Sequence, residues 1–128
     1  MMKKEHGEHN RKLCDHLLSR GDYNDWVVTT AFYSAIHFIE HKLFPLDYGG
    51  KTLSDINSAN NFIRTRSKHE TRALLVGMYL SSQSADYAYL EKNCKNARYV
   101  NYKVNPETAK NAKAMLVKIE TECCKPKP

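Results

Sequence analysis

The nine residues RTRSKHETR, at positions 64–72, bring together side chains that could act on a phosphodiester. Arg64 lies five positions before His69, and Arg72 follows His69 at a helical spacing of three. Metal-independent RNA cleavage needs a base for the 2′-hydroxyl proton and a cation for the charge that develops on the phosphorane. The stretch therefore predicts His69 as a general base, with Arg64 and Arg72 as phosphate ligands.

Two simpler interpretations of the same stretch stay open. One is a phosphate grip without chemistry, to which Arg66 would contribute, and the other is a solvated helix start. Ser67 and Glu70 have the spacing of a capping box, which predicts that a helix begins here. His69 would then lie in the first turn, where the positive end of the helix dipole favours a neutral imidazole.

A second group of residues, SADYAYLEKNCKNARYVNYKV at 84–104, interleaves aromatic and basic side chains. Arg98 could offer a planar cation to a phosphate, beside Tyr87, Tyr99 and Tyr102 as surfaces on which bases stack. The alternative is an ordinary amphipathic helix, with its tyrosine turned inward and its charges at the rim. The first interpretation predicts a nucleic-acid or nucleotide site around Arg98.

The stretch DWVVTTAFYSAIHFIEHKL, residues 25–43, predicts a helix that is apolar nearly all round. Such a helix is either central to a bundle or part of a subunit interface, and the second possibility predicts a homodimer through residues 25–44. Tyr33 and His37 are four positions apart and share one side of this helix. They are expected either to line a cleft or to be fixed by internal hydrogen bonds.

Composition and charge favour a soluble protein with an anionic partner. The chain has 128 residues and a net charge of +6, and residues 61–103 hold eight basic and three acidic side chains. A local excess of +5 attracts polyanions, although it could also serve solubility alone. No apolar run has the length of a membrane span, and the amino terminus is too polar for a signal peptide, so a cytoplasmic location without membrane contact is expected.

The periodicity predicts one all-α domain over residues 1–128, a largely antiparallel bundle of four or five helices. A long loop is expected at about 46–66, with a short helical turn at 53–60, and a short polar tail at 124–128. The expected helices start near residue 4, 23, 67 and 84, and after the Asn105 cap.

The cysteines and the amino-terminal histidines predict neither a cofactor nor a metal. Cys14 and Cys94 fall within apolar helical patterns and are expected in the core, whereas Cys123 and its neighbour suit neither a disulfide framework nor a zinc site. His6 and His9 could chelate a metal together, but a solvated pair is the expectation.

Four segments together resemble the HEPN superfamily of small helical-bundle domains. They are WVVTTAFYSAIHFIEHKL (26–43), HETR (69–72), YAYLEKNCKNARY (87–99) and the closing helix. The resemblance covers roughly residues 22–120. It implies a helical bundle that forms dimers, and a setting in toxin–antitoxin pairs or antiviral defence.

Active members of that superfamily are metal-independent endoribonucleases. Their signature is an arginine, usually followed by a polar residue, and a histidine four to six positions beyond the arginine. Arg64, Thr65 and His69 match this spacing, whereas the late helix carries Arg98 without a histidine. The resemblance therefore implies either a ribonuclease acting through Arg64 and His69 or, as in relatives without the pair, a binding or antitoxin-like partner of another protein.

Overall fold

The computed structural model describes residues 3–125, and these are mostly helical. The last three residues of the predicted polar tail, 126–128, lie outside the described residues. The helices and strands are α1 (Lys3–Arg20), α2 (Asn24–Leu43), β1 (Leu46–Tyr48), β2 (Lys51–Leu53), α3 (Ile56–Ile63), α4 (Lys68–Tyr79), α5 (Ser84–Tyr99) and α6 (Pro106–Cys123). A single 3₁₀ turn at Ser81–Gln83 joins α4 to α5.

Helix α2 is the centre of the fold, which explains why its sequence is apolar on all sides. It packs against α1, α5 and α6, and it touches α4. Val27, Ala31 and Phe38 have no exposed surface. Of the two interpretations of this helix, the central position is therefore the one that the structure shows. None of the helices within residues 3–125 combines the length and the hydrophobicity that a membrane crossing requires.

Local signals set the helix ends where the sequence predicts them. Gly21 ends α1 in the left-handed region, with a φ of 79°. Asn105 caps α6 by accepting a hydrogen bond from the Thr108 amide at 2.7 Å. Ser67 likewise accepts from the Glu70 amide at 3.1 Å, so α4 begins where it was predicted. The Glu70 carboxylate pairs with Arg66 instead of returning to the cap, and only half of the predicted capping box forms.

The predicted loop at 46–66 is wrong, because most of this segment is ordered secondary structure. Strands β1 and β2 form an antiparallel hairpin in which Leu46 pairs with Leu53. The turn between them is Gly49-Gly50, and both glycines have positive φ, the geometry that a tight hairpin needs. Helix α3 follows behind an Asp55 capping box, three residues later than the predicted turn.

Helices α5 and α6 each bury one stripe of side chains, and α1 buries fewer. Cys94 belongs to the buried stripe of α5 and Leu116 to that of α6. In α1, Cys14 is buried and donates to the Val27 carbonyl at 3.6 Å, whereas Leu13 is exposed. The expected core cysteines, Cys14 and Cys94, are thus confirmed.

We expect Gly7→Ala to lower the free energy of unfolding by about 1–3 kcal/mol. A Cβ at Gly7 would lie 2.9 Å from Cε1 of the buried Phe38, so α1 would have to move away from α2. Gly77→Ala is the matched control, because no atom lies within 4 Å of its added Cβ. That change should raise the stability by about 0.5–1 kcal/mol through helix propensity. Urea unfolding measures the free energy of unfolding of both variants. If Gly7→Ala stabilised the protein as much as Gly77→Ala, the close contact between α1 and α2 would be contradicted.

Candidate functional site

A buried ion pair joins α2 to α4 beneath the candidate site. Nε and Nη2 of Arg72 lie 2.9 and 2.8 Å from Oε2 of Glu40, and the two side chains are 6% and 3% exposed. The other carboxylate oxygen of Glu40 lies 3.1 Å from Nζ of Lys3 in α1. Charges removed this far from water need such partners, because an unpaired one would cost several kcal/mol. The guanidinium of Arg72 is therefore fixed in position.

The third nitrogen of Arg72 holds His69 at the surface. Nη1 of Arg72 lies 3.2 Å from Nδ1 of His69, and the imidazole packs on Phe32 with its centroid 6.0 Å from the ring centroid of Phe32. A guanidinium can only donate, so Nδ1 must accept and the proton of the neutral ring must be on Nε2. His69 therefore presents an N–H donor at its outer edge.

The pKa of His69 lies below the ordinary value. Partial burial lowers it first, and the positive charges of Arg72, Lys95 and Arg98 lower it further, while Glu91 acts in the opposite direction. The imidazole is therefore neutral at neutral pH. Lys95 and Arg98, whose charges act on the imidazole, both lie in the last two turns of α5.

Arg98, in the last turn of α5, lies on an aromatic surface. It donates a hydrogen bond to the Tyr33 hydroxyl, and its guanidinium carbon is 5.8 Å from the Tyr33 ring centroid and 5.1 Å from that of Tyr99. Tyr33 in turn contacts Phe32, at 5.8 Å between ring centroids. A continuous path of contacts thus runs from Arg98 through Tyr33 and Phe32 to His69.

The predicted pair of Tyr33 and His37 does not line one cleft. Tyr33 faces Arg98, whereas His37 faces α1 and stacks on His6, with 3.7 Å between the ring centroids. Burial, with His6 and Lys3 adding to it, lowers the pKa of His37 to about 4. His6 is thus part of the α1–α2 contact, and residues 3–125 contain no cluster of three or more side chains suited to a metal ion.

The other predicted residues are spread around the site. Arg64 adopts the left-handed conformation at the end of α3 and makes no ion pair or hydrogen bond through its side chain with another described residue. Arg66 is exposed and pairs with Glu70 at 2.9 Å. Tyr87 is buried against Phe32, so its ring has no free face for a base, and burial raises its pKa to about 12. Tyr99 and Tyr102 are exposed, as binding would require.

Sequence reasoning missed Glu40, although one signal could have indicated it. Glu40 is the only acidic residue between Trp26 and Leu43, in a helix that is otherwise apolar. A lone carboxylate in a buried helix needs a cation, and basic residues in excess stand at 61–103. The Lys95 charge was also missed, although it lies one helical turn before Arg98.

Comparison with known proteins adds no assignment. No family model, curated protein or solved structure matches the chain. The functional argument therefore depends on the side chains described above.

Glu40→Gln should lower the free energy of unfolding by about 3–5 kcal/mol, because it leaves the Arg72 charge buried without its counter-ion. Glu70→Gln is the control, since it removes the carboxylate of an exposed pair and should cost less than about 1 kcal/mol. Chemical denaturation of the two variants measures the difference. Similar losses for both would mean that the Glu40–Arg72 pair contributes no more than an exposed one.

Proposed function

We propose that this chain is a HEPN-like protein that binds RNA or nucleotides, of the kind that acts in toxin–antitoxin or defence systems. The observation that carries the proposal is the path of contacts from Arg98 to His69. Lys95 lies one helical turn before Arg98 on α5. Both ends of the path, His69 and Arg98, belong to the segment of highest positive charge, residues 61–103. The sequence resemblance supports the same conclusion.

The side chains along this path suit a phosphate group. Arg98 is exposed and planar, and its aromatic contacts with Tyr33 and Tyr99 limit its freedom, so little is lost when it binds an anion. His69 adds an N–H donor that carries no charge at neutral pH. Arg72 is committed to Glu40 and His69, which makes it a positioning residue for the imidazole.

A ribonuclease version of this function requires His69 as general base. In the neutral ring, Nε2 carries the proton, and Nδ1 accepts a hydrogen bond from Arg72. The ring would therefore have to release Arg72 before Nδ1 could accept a proton from a substrate. Arg64 is near in sequence, but its side chain forms no hydrogen bond with His69. These contacts favour binding over cleavage by this site.

The alternative function is a protein-docking module or antitoxin-like partner, and one observation favours it. An exposed apolar and aromatic segment at the end of α5 contains Tyr99, Val100 and Tyr102. Val27, Ala31 and Phe38 are enclosed within the chain, so a docked protein, or a second copy in the proposed homodimer, would have to use other surfaces.

Single-stranded RNA should bind at low salt, and Arg98→Gln and Lys95→Gln should each weaken the complex. Each variant that loses a phosphate contact should also reduce the slope of log K against the logarithm of the salt concentration by about one. Lys118→Gln removes an exposed lysine from α6 and serves as the charge-matched control. Fluorescence anisotropy with a labelled pentauridylate measures all four proteins. Absence of binding at low salt, or equal weakening by Lys118→Gln, would refute the proposed site.

Incubation with RNA in the presence of a chelator should give no cleavage that depends on His69. Wild type and His69→Ala are compared on a denaturing gel, with Arg64→Ala as a second variant. Cleavage rates that are equal for all three proteins and no higher than the background would agree with a binding site in which the imidazole only donates a hydrogen bond. Cleavage that is present in the wild type and lost in His69→Ala would instead establish the ribonuclease.

A further inference from the structure

A small cavity lies next to Arg98. It has a volume of about 250 Å³ and lies between the first turns of α2 and the end of α5. The side chains that line it are Asp25, Trp26, Thr29, Ala97, Arg98 and Tyr102. Two of these residues are aromatic, one is a carboxylate, and one is the arginine already placed in the binding path.

Both aromatic side chains of the cavity are exposed to solvent. Trp26 is 51% exposed and Tyr102 is 68% exposed, and no ring contact joins them among the described residues. Exposed aromatic side chains that line one cavity form an apolar surface on which a ligand can bind. Such a surface suits a flat ligand that stacks on the rings.

The carboxylate of Asp25 is free to bind a ligand. It forms no ion pair and no side-chain hydrogen bond with another described residue. The Thr29 hydroxyl donates to the backbone carbonyl of Asp25 at 2.8 Å, so it does not use the carboxylate. Arg98 is engaged with the Tyr33 hydroxyl. The first-turn position at the start of α2 stabilises the negative charge.

We propose that this cavity binds a guanine base, stacked against Trp26 and Tyr102 and held by Asp25. A carboxylate accepts two parallel hydrogen bonds, and guanine is the RNA base whose Watson–Crick edge offers two adjacent N–H donors. Arg98 at the rim would take the phosphate of the same nucleotide and would repel a cationic peptide side chain from the cavity. The inference rests on the proposed function and adds a base preference to it.

Trp26 is the only tryptophan in the chain, so its fluorescence reports directly on the cavity. Titration with GMP should quench it at lower concentration than AMP, CMP or UMP, and inorganic phosphate should not quench it. One bidentate contact to a base gives about 5- to 150-fold discrimination. Equal quenching by all four nucleotides, or none by GMP, would overturn the guanine assignment, as would quenching by an arginine-rich peptide alone.

Two variants test the roles of Asp25 and Tyr102. Asp25→Asn should remove most of the preference for GMP over AMP and leave the weak stacking of all bases. Tyr102→Ala should weaken the binding of all four nucleotides to a similar extent. Asp22→Asn and Tyr23→Ala are the control variants, because they alter exposed side chains that do not line the cavity. They should change neither the preference for GMP nor the affinity for the four nucleotides. A preference for GMP that survives Asp25→Asn, in a variant with the wild-type melting temperature, would contradict the role of the carboxylate.

The oligonucleotides UUGUU, UUAUU and UUUUU separate this inference from the proposed function. If all three bind at low salt with equal affinity, the RNA site stands and the guanine cavity is refuted. If none binds, RNA binding by the proposed site is refuted, and GMP quenching alone then decides whether the cavity binds a free nucleotide. Tighter binding of UUGUU that depends on Asp25 supports both.

Discussion

The ion pair between Glu40 and Arg72 is the constraint on which the candidate site depends. Both charges are almost completely removed from water, so neither side chain can change its position without leaving a buried charge unpaired. The pair fixes α4 against α2, and the remaining nitrogen of Arg72 fixes the ring of His69. The proton position on a surface histidine is thus decided by a carboxylate in the core.

Helix α2 gives the surface residues a rigid support. Most of its side chains are buried against the surrounding helices, and Trp26 and Tyr33 are among the few that reach the outside. Side chains on a central helix are held more precisely than side chains on a loop. Tyr33 in α2 can therefore orient the side chain of Arg98, although Arg98 lies only one residue before the end of α5.

The sequence predicted the parts of the fold that depend on short-range signals. Helices α5 and α6 begin at the predicted positions because caps and periodicity are local properties. The hairpin was missed because three-residue strands are too short to show an alternating pattern, although the Gly49-Gly50 turn was a usable signal. Glu40 and Arg72 are 32 positions apart, and no local pattern connects them. The same limit applies to Tyr87, whose burial depends on how α5 meets Phe32.

The helical rise of α2 also sets the distance that an RNA strand must span to contact both Trp26 and Tyr33. Trp26 and Tyr33 lie seven positions apart on one straight helix, which corresponds to about 10 Å along its axis. Bases stacked at about 3.4 Å would cover that distance with roughly three nucleotides. A ligand that contacted both Trp26 and Tyr33 would therefore be a very short strand, and longer RNA would extend beyond this part of the surface at one or both ends.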